Sequence, residues 1–202
     1  LVGAGVGINA LAMRGLRMPL MAEPRHVKHK AWHSEDHFKA SADGAFFTGV
    51  KGPFLSWRAF TPEPTLKMQG VFQVTVDNIH PQAILSSEGG GQIREESIDG
   101  LKRTVLGDTE PGKELRLHWQ VPFAESYRFA AIGDTGGGRE LEWTLRQAHQ
   151  LGAQFLLLLG DLYYQPGDDI NVLRNLSRSP VPVYAAYGNH DIVRGFDQSL
   201  LH

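Results

Sequence analysis

Apolar and polar residues alternate along much of the segment from residue 45 to residue 123. Single polar positions separate the apolar ones in two clear runs: Phe72, Val74 and Val76, and then Leu115, Leu117, Trp119 and Val121. A period of two places one side of a strand in a core and the other side in water. Turn sequences lie between the runs at Gly89-Gly90-Gly91, Asp99-Gly100 and Glu110-Pro111-Gly112-Lys113. Short strands with such turns predict an antiparallel, β-sandwich-like domain over residues 45–123.

The segment from residue 124 to residue 202 has a different pattern. Three continuous apolar runs, 127–132, 155–159 and 181–187, alternate with two segments of helical periodicity, 139–151 and 168–177. The apolar positions at helical spacing are Leu141, Leu145 and Ala148 in the first helix and Ile170, Leu173 and Leu176 in the second. Continuous apolar strands linked by helices are typical of a parallel sheet covered on both faces. We therefore predict an α/β domain after the β-domain.

The first 44 residues contain two short segments, and each segment has two interpretations. Residues 1–22 are small and apolar apart from Asn9, Arg14 and Arg17. Their apolar run is shorter than the about 20 residues that span a bilayer. The segment is therefore either the end of a membrane or signal segment or a packed terminal helix. Residues 23–44 form a polar linker. On a helix, three of its histidines would share one face and could bind a metal, whereas a solvated linker or an amphipathic helix is the alternative. The histidines of this linker are His26, His29, His33 and His37.

Composition narrows the classes of protein that fit. The chain has 202 residues, a formal net charge of −2 and no cysteine. This length fits one large or two small domains. A charge near zero argues against nucleic acid as the main partner. The absence of cysteine excludes disulfides and thiolate metal sites within these residues.

A short polar motif follows each predicted parallel strand. Right-handed crossovers place the carboxyl ends of such strands on one edge of the sheet, where open α/β sheets bind their ligands. Hard oxygen donors that converge at such an edge suit a hard, highly charged cation. The residues expected at this edge are Asp134, Asp161, Tyr164, Asn189 and His190, from the motifs Gly133-Asp134-Thr135-Gly136, Gly160-Asp161-Leu162-Tyr163-Tyr164 and Gly188-Asn189-His190-Asp191.

Taken together, the three motifs resemble those of the calcineurin-like metallophosphoesterases. Most of that superfamily has Asp-x-His in the first motif, whereas Gly136 stands at the histidine position here and Tyr164 follows Asp161 by three residues. The loss of an imidazole in the first motif, together with the gain of a phenol in the second, is similar to the pattern of the purple acid phosphatase branch. The resemblance covers residues 127–191 and implies an αββα sandwich, of which the chain would hold the N-terminal half. A β-domain before the catalytic domain is also similar to the larger purple acid phosphatases.

The resemblance implies a set of metal ligands. Asp134 and Tyr164 would bind a first metal ion, Asp161 would bridge both ions, and Asn189 would bind the second through its amide oxygen. A free phenol has a pKa of about 10, so only a strongly Lewis-acidic ion would hold it ionised. The implied cofactors are therefore Fe(III) at the first position and Fe, Zn or Mn at the second.

These ligands predict a hydrolase that acts on phosphate esters through a binuclear metal centre. A metal-bound hydroxide would attack phosphorus, and the substrate would be a phosphomonoester, either a small molecule or a phosphoprotein. His190 would contact the phosphate or protonate the leaving group, and Asp191 would orient His190. One alternative is a phosphodiesterase or nucleotide hydrolase of the same superfamily. Another is a non-catalytic surface binding module with a degenerate phosphoesterase remnant.

Two later histidine motifs of the family, Val-x-x-His and Gly-His-x-His, do not occur in this sequence. We therefore expect the chain to hold only the N-terminal part of the catalytic domain and to be inactive alone. The apolar residues 1–22 favour an extracytoplasmic or membrane-associated location over the cytoplasm. The sequence leaves the oligomeric state open.

Overall fold

The computed structural model describes residues 32–34, 38–51, 54–162, 164 and 168–186. These residues form a β-rich part that ends with the ninth strand, followed by a small α/β part. The strands are β1 (Trp32–Ser34), β2 (Phe38–Asp43), β3 (Ala45–Lys51), β4 (Phe54–Ala59), β5 (Thr65–Asp77), β6 (Ile84–Gly89), β7 (Gly91–Asp99), β8 (Lys102–Thr109), β9 (Leu115–Gln120), β10 (Phe129–Ile132), β11 (Phe155–Leu158) and β12 (Val183–Ala185), and the helices are α1 (Arg139–Gln150) and α2 (Asp168–Ser177).

The long strand β5 organises the β-rich part. Its first half pairs with β2 and β9, and its second half pairs with β4 and β8. The change of partners falls at Gly70, whose φ of 92° lies in the region that favours glycine. The Gly70 amide donates to the Thr109 hydroxyl at 2.7 Å. One long strand therefore connects all nine strands into a single sheet system.

The alternation in the sequence predicts the core of this part correctly. Phe72, Val74 and Val76 are buried, as are Leu115, Leu117 and Trp119, and they belong to one cluster. The predicted turn at Glu110 is also confirmed. Lys113 N donates to Glu110 O at 2.9 Å, and Gly112 has a φ of 74°, as a type II turn requires.

Three features of the β-rich part differ from the sequence prediction. Strands β1 and β2 lie within residues 23–44, which the sequence assigns to a linker, and His33 is on β1 opposite Lys39 rather than on a helix. Strand β4 runs parallel to β5, although an antiparallel domain is predicted. The two halves share β5, whereas a sandwich has two separate sheets. Because β5 is twice as long as a usual strand, it can serve both halves.

The α/β part contains the predicted parallel sheet in the order β10-β11-β12. Leu156 lies between Ala130 and Val183 in the register. The strands are shorter than the apolar runs that predict them. The first helix buries Leu141, Leu145 and Ala148, as predicted.

The helices cover one face of this sheet in the described part of the chain. Their buried side chains pack with Leu156, Leu158 and Val183. On α2, Val172 is buried and Leu173 is 54% exposed, so the predicted apolar face of this helix is wrong at Leu173. The reason is the direction from which α2 meets the sheet, which periodicity alone does not specify. The other face of the sheet carries a row of aromatic rings from Phe129, Phe155 and Tyr184.

Two side chains of the β-rich part form hydrogen bonds with the backbone of the α/β part. Asn78 is 2% exposed, and its amide accepts from Val183 N at 2.9 Å and donates to Val183 O at 2.8 Å. The Arg58 guanidinium donates to Leu176 O at 3.0 Å. Asn78 therefore replaces the backbone of a neighbouring strand at the free edge of β12.

The N-terminal predictions fall mostly outside the described residues. These include the apolar segment 1–22 and the histidines His26, His29 and His37. Among the described helices, none has the length and apolar character needed to cross a membrane.

Candidate metal centre

The carboxyl ends of β10 and β11 meet at one edge of the parallel sheet. Leu159 N donates to Ile132 O at 2.8 Å, and Asp134 N donates to Gly160 O at 3.2 Å. The pairing of the two strands thus continues into the two loops that carry the first and second motifs. Asp134 and Asp161 consequently leave adjacent strands at the same edge, as the sequence predicts.

Both aspartates adopt an unusual backbone conformation. Asp134 has a φ of 56° and Asp161 a φ of 58°, and among the described residues Asn78 alone shares a positive φ without being glycine. A left-handed backbone is costly for most side chains and occurs mainly at turns and functional sites. Each aspartate lies two or three residues after the end of its strand, at Ile132 and at Leu158.

Tyr164 joins the two motifs. Its hydroxyl donates to Asp134 Oδ1 at 2.8 Å, across 30 residues of sequence. Adjacent ligands of an octahedral ion with bonds of about 2.0–2.1 Å lie about 2.9 Å apart. The two oxygens are therefore already at a separation that suits a shared metal ion, and the phenol proton would leave when the ion binds. The pair of side chains fits the metal that the family implies.

Residues without a predicted role support the loop after Asp134. Asn175 of α2 donates to Gly137 O at 3.1 Å and to Gly138 O at 3.2 Å. These bonds satisfy carbonyl groups just before α1 begins and attach the loop to the neighbouring helix. Thr135 has a buried hydroxyl without a hydrogen-bond partner in the described residues. Nothing in the sequence spacing marks Asn175 or Thr135, because their importance depends on how α2 packs.

The third motif lies outside the described residues. Its predicted site residues are Asn189, His190 and Asp191. Within the described ranges, no group of three or more His, Cys, Asp or Glu side chains comes together. Of the predicted ligands in those ranges, only Asp134 and Asp161 are of these residue types. The structure thus brings Asp134 and Tyr164 into contact and places Asp161 at the same edge.

Part of the chain is similar in sequence to a known family. Residues 127–202 match the family model of the calcineurin-like phosphoesterases. The solved structure of the purple acid phosphatase PPD1 isolated from yellow lupin (Lupinus luteus) seeds is similar at 16% sequence identity and a TM-score of 0.28, over 74% of this chain and 35% of that chain. The match thus spans about a third of the lupin chain. A search of curated proteins gave no match. The resemblance carried by the motifs is confirmed over residues 127–202, which are similar to the calcineurin-like phosphoesterases.

Proposed function

We propose that this protein takes part in metal-dependent hydrolysis of phosphate monoesters. The contact between Tyr164 and Asp134 carries the proposal, since it places a phenol and a carboxylate from two motifs side by side. The family match supports phosphoester hydrolysis in general. The replacement of the first-motif histidine by Gly136, together with the gain of Tyr164, favours the purple acid phosphatase branch within that family.

The proposed roles follow the chemistry of each side chain. Asp134 and Tyr164 would hold one metal ion, Asn189 would hold a second, and Asp161 would serve as a ligand to both. His190 would contact the phosphate or protonate the leaving group, and Asp191 would orient His190. Two bound ions would supply the positive charge that stabilises a phosphoryl group during transfer.

The phenol selects the metal at the first position. As an anionic hard donor, the Tyr164 phenolate favours Fe(III) there, with Fe, Zn or Mn at the second position. The histidine motifs Val-x-x-His and Gly-His-x-His do not occur in the 202 residues. We therefore expect hydrolysis by residues 1–202 alone to stay near background, and the decisive test is spectroscopic.

The test is the colour of the iron-loaded protein. We expect a visible charge-transfer band from iron bound to a tyrosinate. Tyr164→Phe should abolish this band and lower the iron content measured by elemental analysis. Trp143→Phe is a suitable control, because Trp143 lies on α1 with 60% of its side chain exposed. Iron-loaded protein without a band, together with unchanged iron content in Tyr164→Phe, would contradict the assignment.

The choice of substrate has a separate test. In a preparation with hydrolytic activity, p-nitrophenyl phosphate should be cleaved faster than bis(p-nitrophenyl) phosphate. The opposite order would replace the monoester by a phosphodiester while leaving the metal assignment intact.

A further inference from the structure

The loop after Asp134 is fixed by hydrogen bonds on both of its sides. On the side of the sheet, Asp134 N donates to Gly160 O at 3.2 Å. On the side of the helices, Asn175 Nδ2 donates to Gly137 O at 3.1 Å and to Gly138 O at 3.2 Å. Only two residues of the chain lie between Asp134 and the first of these carbonyl groups. The position of Asp134 therefore depends on α2 as well as on the sheet.

The backbone of this loop requires such support. Asp134 has a φ of 56° and Gly136 a φ of 55°, so two left-handed residues stand close together. A left-handed aspartate is costly and persists only where the surrounding structure holds it. Gly136 adopts many conformations because it has no Cβ atom, so it does little to fix the loop by itself. The two hydrogen bonds from Asn175 restrict this freedom just before α1 begins.

Asn175 lies in the last turn of α2, and the β-rich part contacts that turn. The half-buried Arg58 guanidinium donates to Leu176 O at 3.0 Å. Leu176 O is one of the last carbonyl groups of the helix, which have no partner four residues later within it. It also accepts from Ser179 N at 3.2 Å. Because a cation at the carboxyl end of a helix interacts favourably with the helix dipole, Arg58 caps α2 one residue after Asn175.

These contacts form a continuous path from the β-rich part to the first motif. Arg58 lies on β4, which pairs with β3 on one side and β5 on the other. From β4 the path passes through the last turn of α2 to the loop, and so to Asp134. At its far end the Tyr164 hydroxyl donates to the Asp134 carboxylate at 2.8 Å. A displacement of the loop would therefore change the separation of the two oxygens that suit a shared metal ion.

We propose that Arg58 and Asn175 are positioning residues for the candidate metal centre. Arg58 fixes the last turn of α2, Asn175 carries that position to the loop, and the loop holds the Asp134 carboxylate beside the Tyr164 phenol. The inference rests on the proposed function, because it concerns the same pair of metal ligands. It gives the β-rich part a role at a site whose predicted ligands all belong to the α/β part.

The first measurement needs no metal and follows amide hydrogen exchange in residues 1–202 by NMR. In Asn175→Ala and in Arg58→Met, the Asp134 amide should exchange about three- to ten-fold faster than in the wild type, as expected for the loss of one hydrogen bond. Asn175→Asp removes the donor while it keeps the size of the side chain, and it should act in the same direction. An unchanged exchange rate at Asp134 in these variants would overturn the proposal.

Two controls separate positioning from general loosening. The Leu156 amide donates to Pro182 O at 2.8 Å within the sheet, so its exchange rate should stay the same in every variant. Arg174→Ala should change neither amide, because Arg174 is exposed on the same helix and donates to Asn171 Oδ1. Equal acceleration at Leu156, or an effect of Arg174→Ala as large as that of Asn175→Ala, would count against a specific path.

A double variant tests whether Arg58 acts through Asn175. If both residues lie on one path, Arg58→Met should add little to the exchange of the Asp134 amide in the Asn175→Ala background. Two independent contributions would instead multiply, to about ten- to one-hundred-fold. Multiplied effects would show that Arg58 reaches Asp134 by another route and would overturn the path.

The second measurement follows iron through the visible tyrosinate band. In a titration with ferric citrate, half-saturation of the band should require about three- to ten-fold more iron in Asn175→Ala and Arg58→Met than in the wild type or in Arg174→Ala. A band that saturates at the same iron concentration in all four proteins would overturn the inference, while the proposed function would stand. The absence of a band in the wild type would contradict the proposed function itself, and the positioning role would fall with it.

Discussion

Asp134 and Asp161 show how single residues shape the candidate metal centre. Both have a left-handed backbone, which only small or polar side chains adopt at modest cost. The Asp134 carboxylate accepts a hydrogen bond from Tyr164. The position of the two aspartates at one edge of the sheet could be predicted from the motifs. Their backbone conformation could not, because Gly-Asp sequences occur in many kinds of turn.

His80 provides a pH-dependent contribution to stability at the same scale. Its pKa is lowered in the folded protein, first by burial and then by Arg103, while the unfolded chain has the ordinary value of about 6.5. Above a pH of about 6.5 the His80 imidazole is neutral in both states, so it adds no pH dependence to the free energy of unfolding. As pH falls below about 6.5, the unfolded state takes up a proton that the folded state resists. Stability should therefore decrease toward lower pH, by at most about 1.4 kcal/mol per pH unit.

The measurement is urea unfolding at pH 7.5 and pH 5.5. We expect His80→Gln to lose less stability than the wild type between the two values. The comparison removes the contributions of the other titrating groups, because they are the same in both proteins. An identical pH dependence in variant and wild type would show that the folded state does not resist protonation of His80.

Strand β5 is the element on which the β-rich part depends. It provides buried side chains to both halves of the sheet, and Gly70 lies at the change between them. The alternation of Phe72, Val74 and Val76 predicts its buried face. Periodicity does not predict that one strand has four partners, since partners are chosen by segments distant in sequence.

Gly107 of β8 should be intolerant of a side chain. It lies directly opposite Phe72 of β5, and a Cβ atom at Gly107 would overlap the Phe72 ring. Phe72 is 2% exposed, so the ring has little room to move. Gly107→Ala should destabilise the protein by about 1–3 kcal/mol in urea unfolding, the usual cost of overpacking a core.

A matched control for this substitution is Gly49→Ala in β3. No atom lies within 4 Å of a Cβ placed at Gly49, so the change should stay within about 0.5 kcal/mol. Phe72→Leu should relieve the cost of Gly107→Ala in a double-mutant cycle. Similar effects at the two glycines, or no coupling to Phe72, would exclude the steric explanation.

At the scale of the whole molecule, Asn78 joins the two parts of the chain. Its amide makes three hydrogen bonds, two with Val183 and one to Ala59 O at 2.8 Å. Val183 is 105 residues away in sequence. The edge of β12 is thereby satisfied by a side chain rather than by another strand. Arg58 adds a second link through Leu176 O.

Substitution of Asn78 should weaken this junction. Asn78→Asp places a carboxylate against two carbonyl oxygens and should cost about 2–4 kcal/mol. Asn78→Gly removes the amide while tolerating the φ of 66°, so its loss reports the hydrogen bonds together with the entropic cost of ordering a glycine. Hydrogen exchange at the Val183 amide should become faster in both variants. Asn171→Asp, on the exposed side of α2, is the control and should change neither measurement; slow exchange at Val183 in Asn78→Gly would refute the link.

The sequence by itself determined the local features of this protein. Alternating residues specified the buried face of β5 and β9, and helical spacing specified the buried face of α1. The three motifs specified the family that residues 127–202 resemble. These features depend on neighbours in the chain, through backbone geometry and the solvent preference of each side chain. They can therefore be predicted from a single sequence.

Only the tertiary structure decided the contacts between distant residues. It paired Tyr164 with Asp134 and Asn78 with Val183, exposed Leu173, and placed β1 and β2 in a segment predicted as a linker. It also brought Asn175 to the loop after Asp134. Each of these outcomes depends on which surfaces meet when the chain packs, and burial of a polar group is favourable only where a partner is brought to it. Local periodicity contains no information about that partner, so the structure was required to find it.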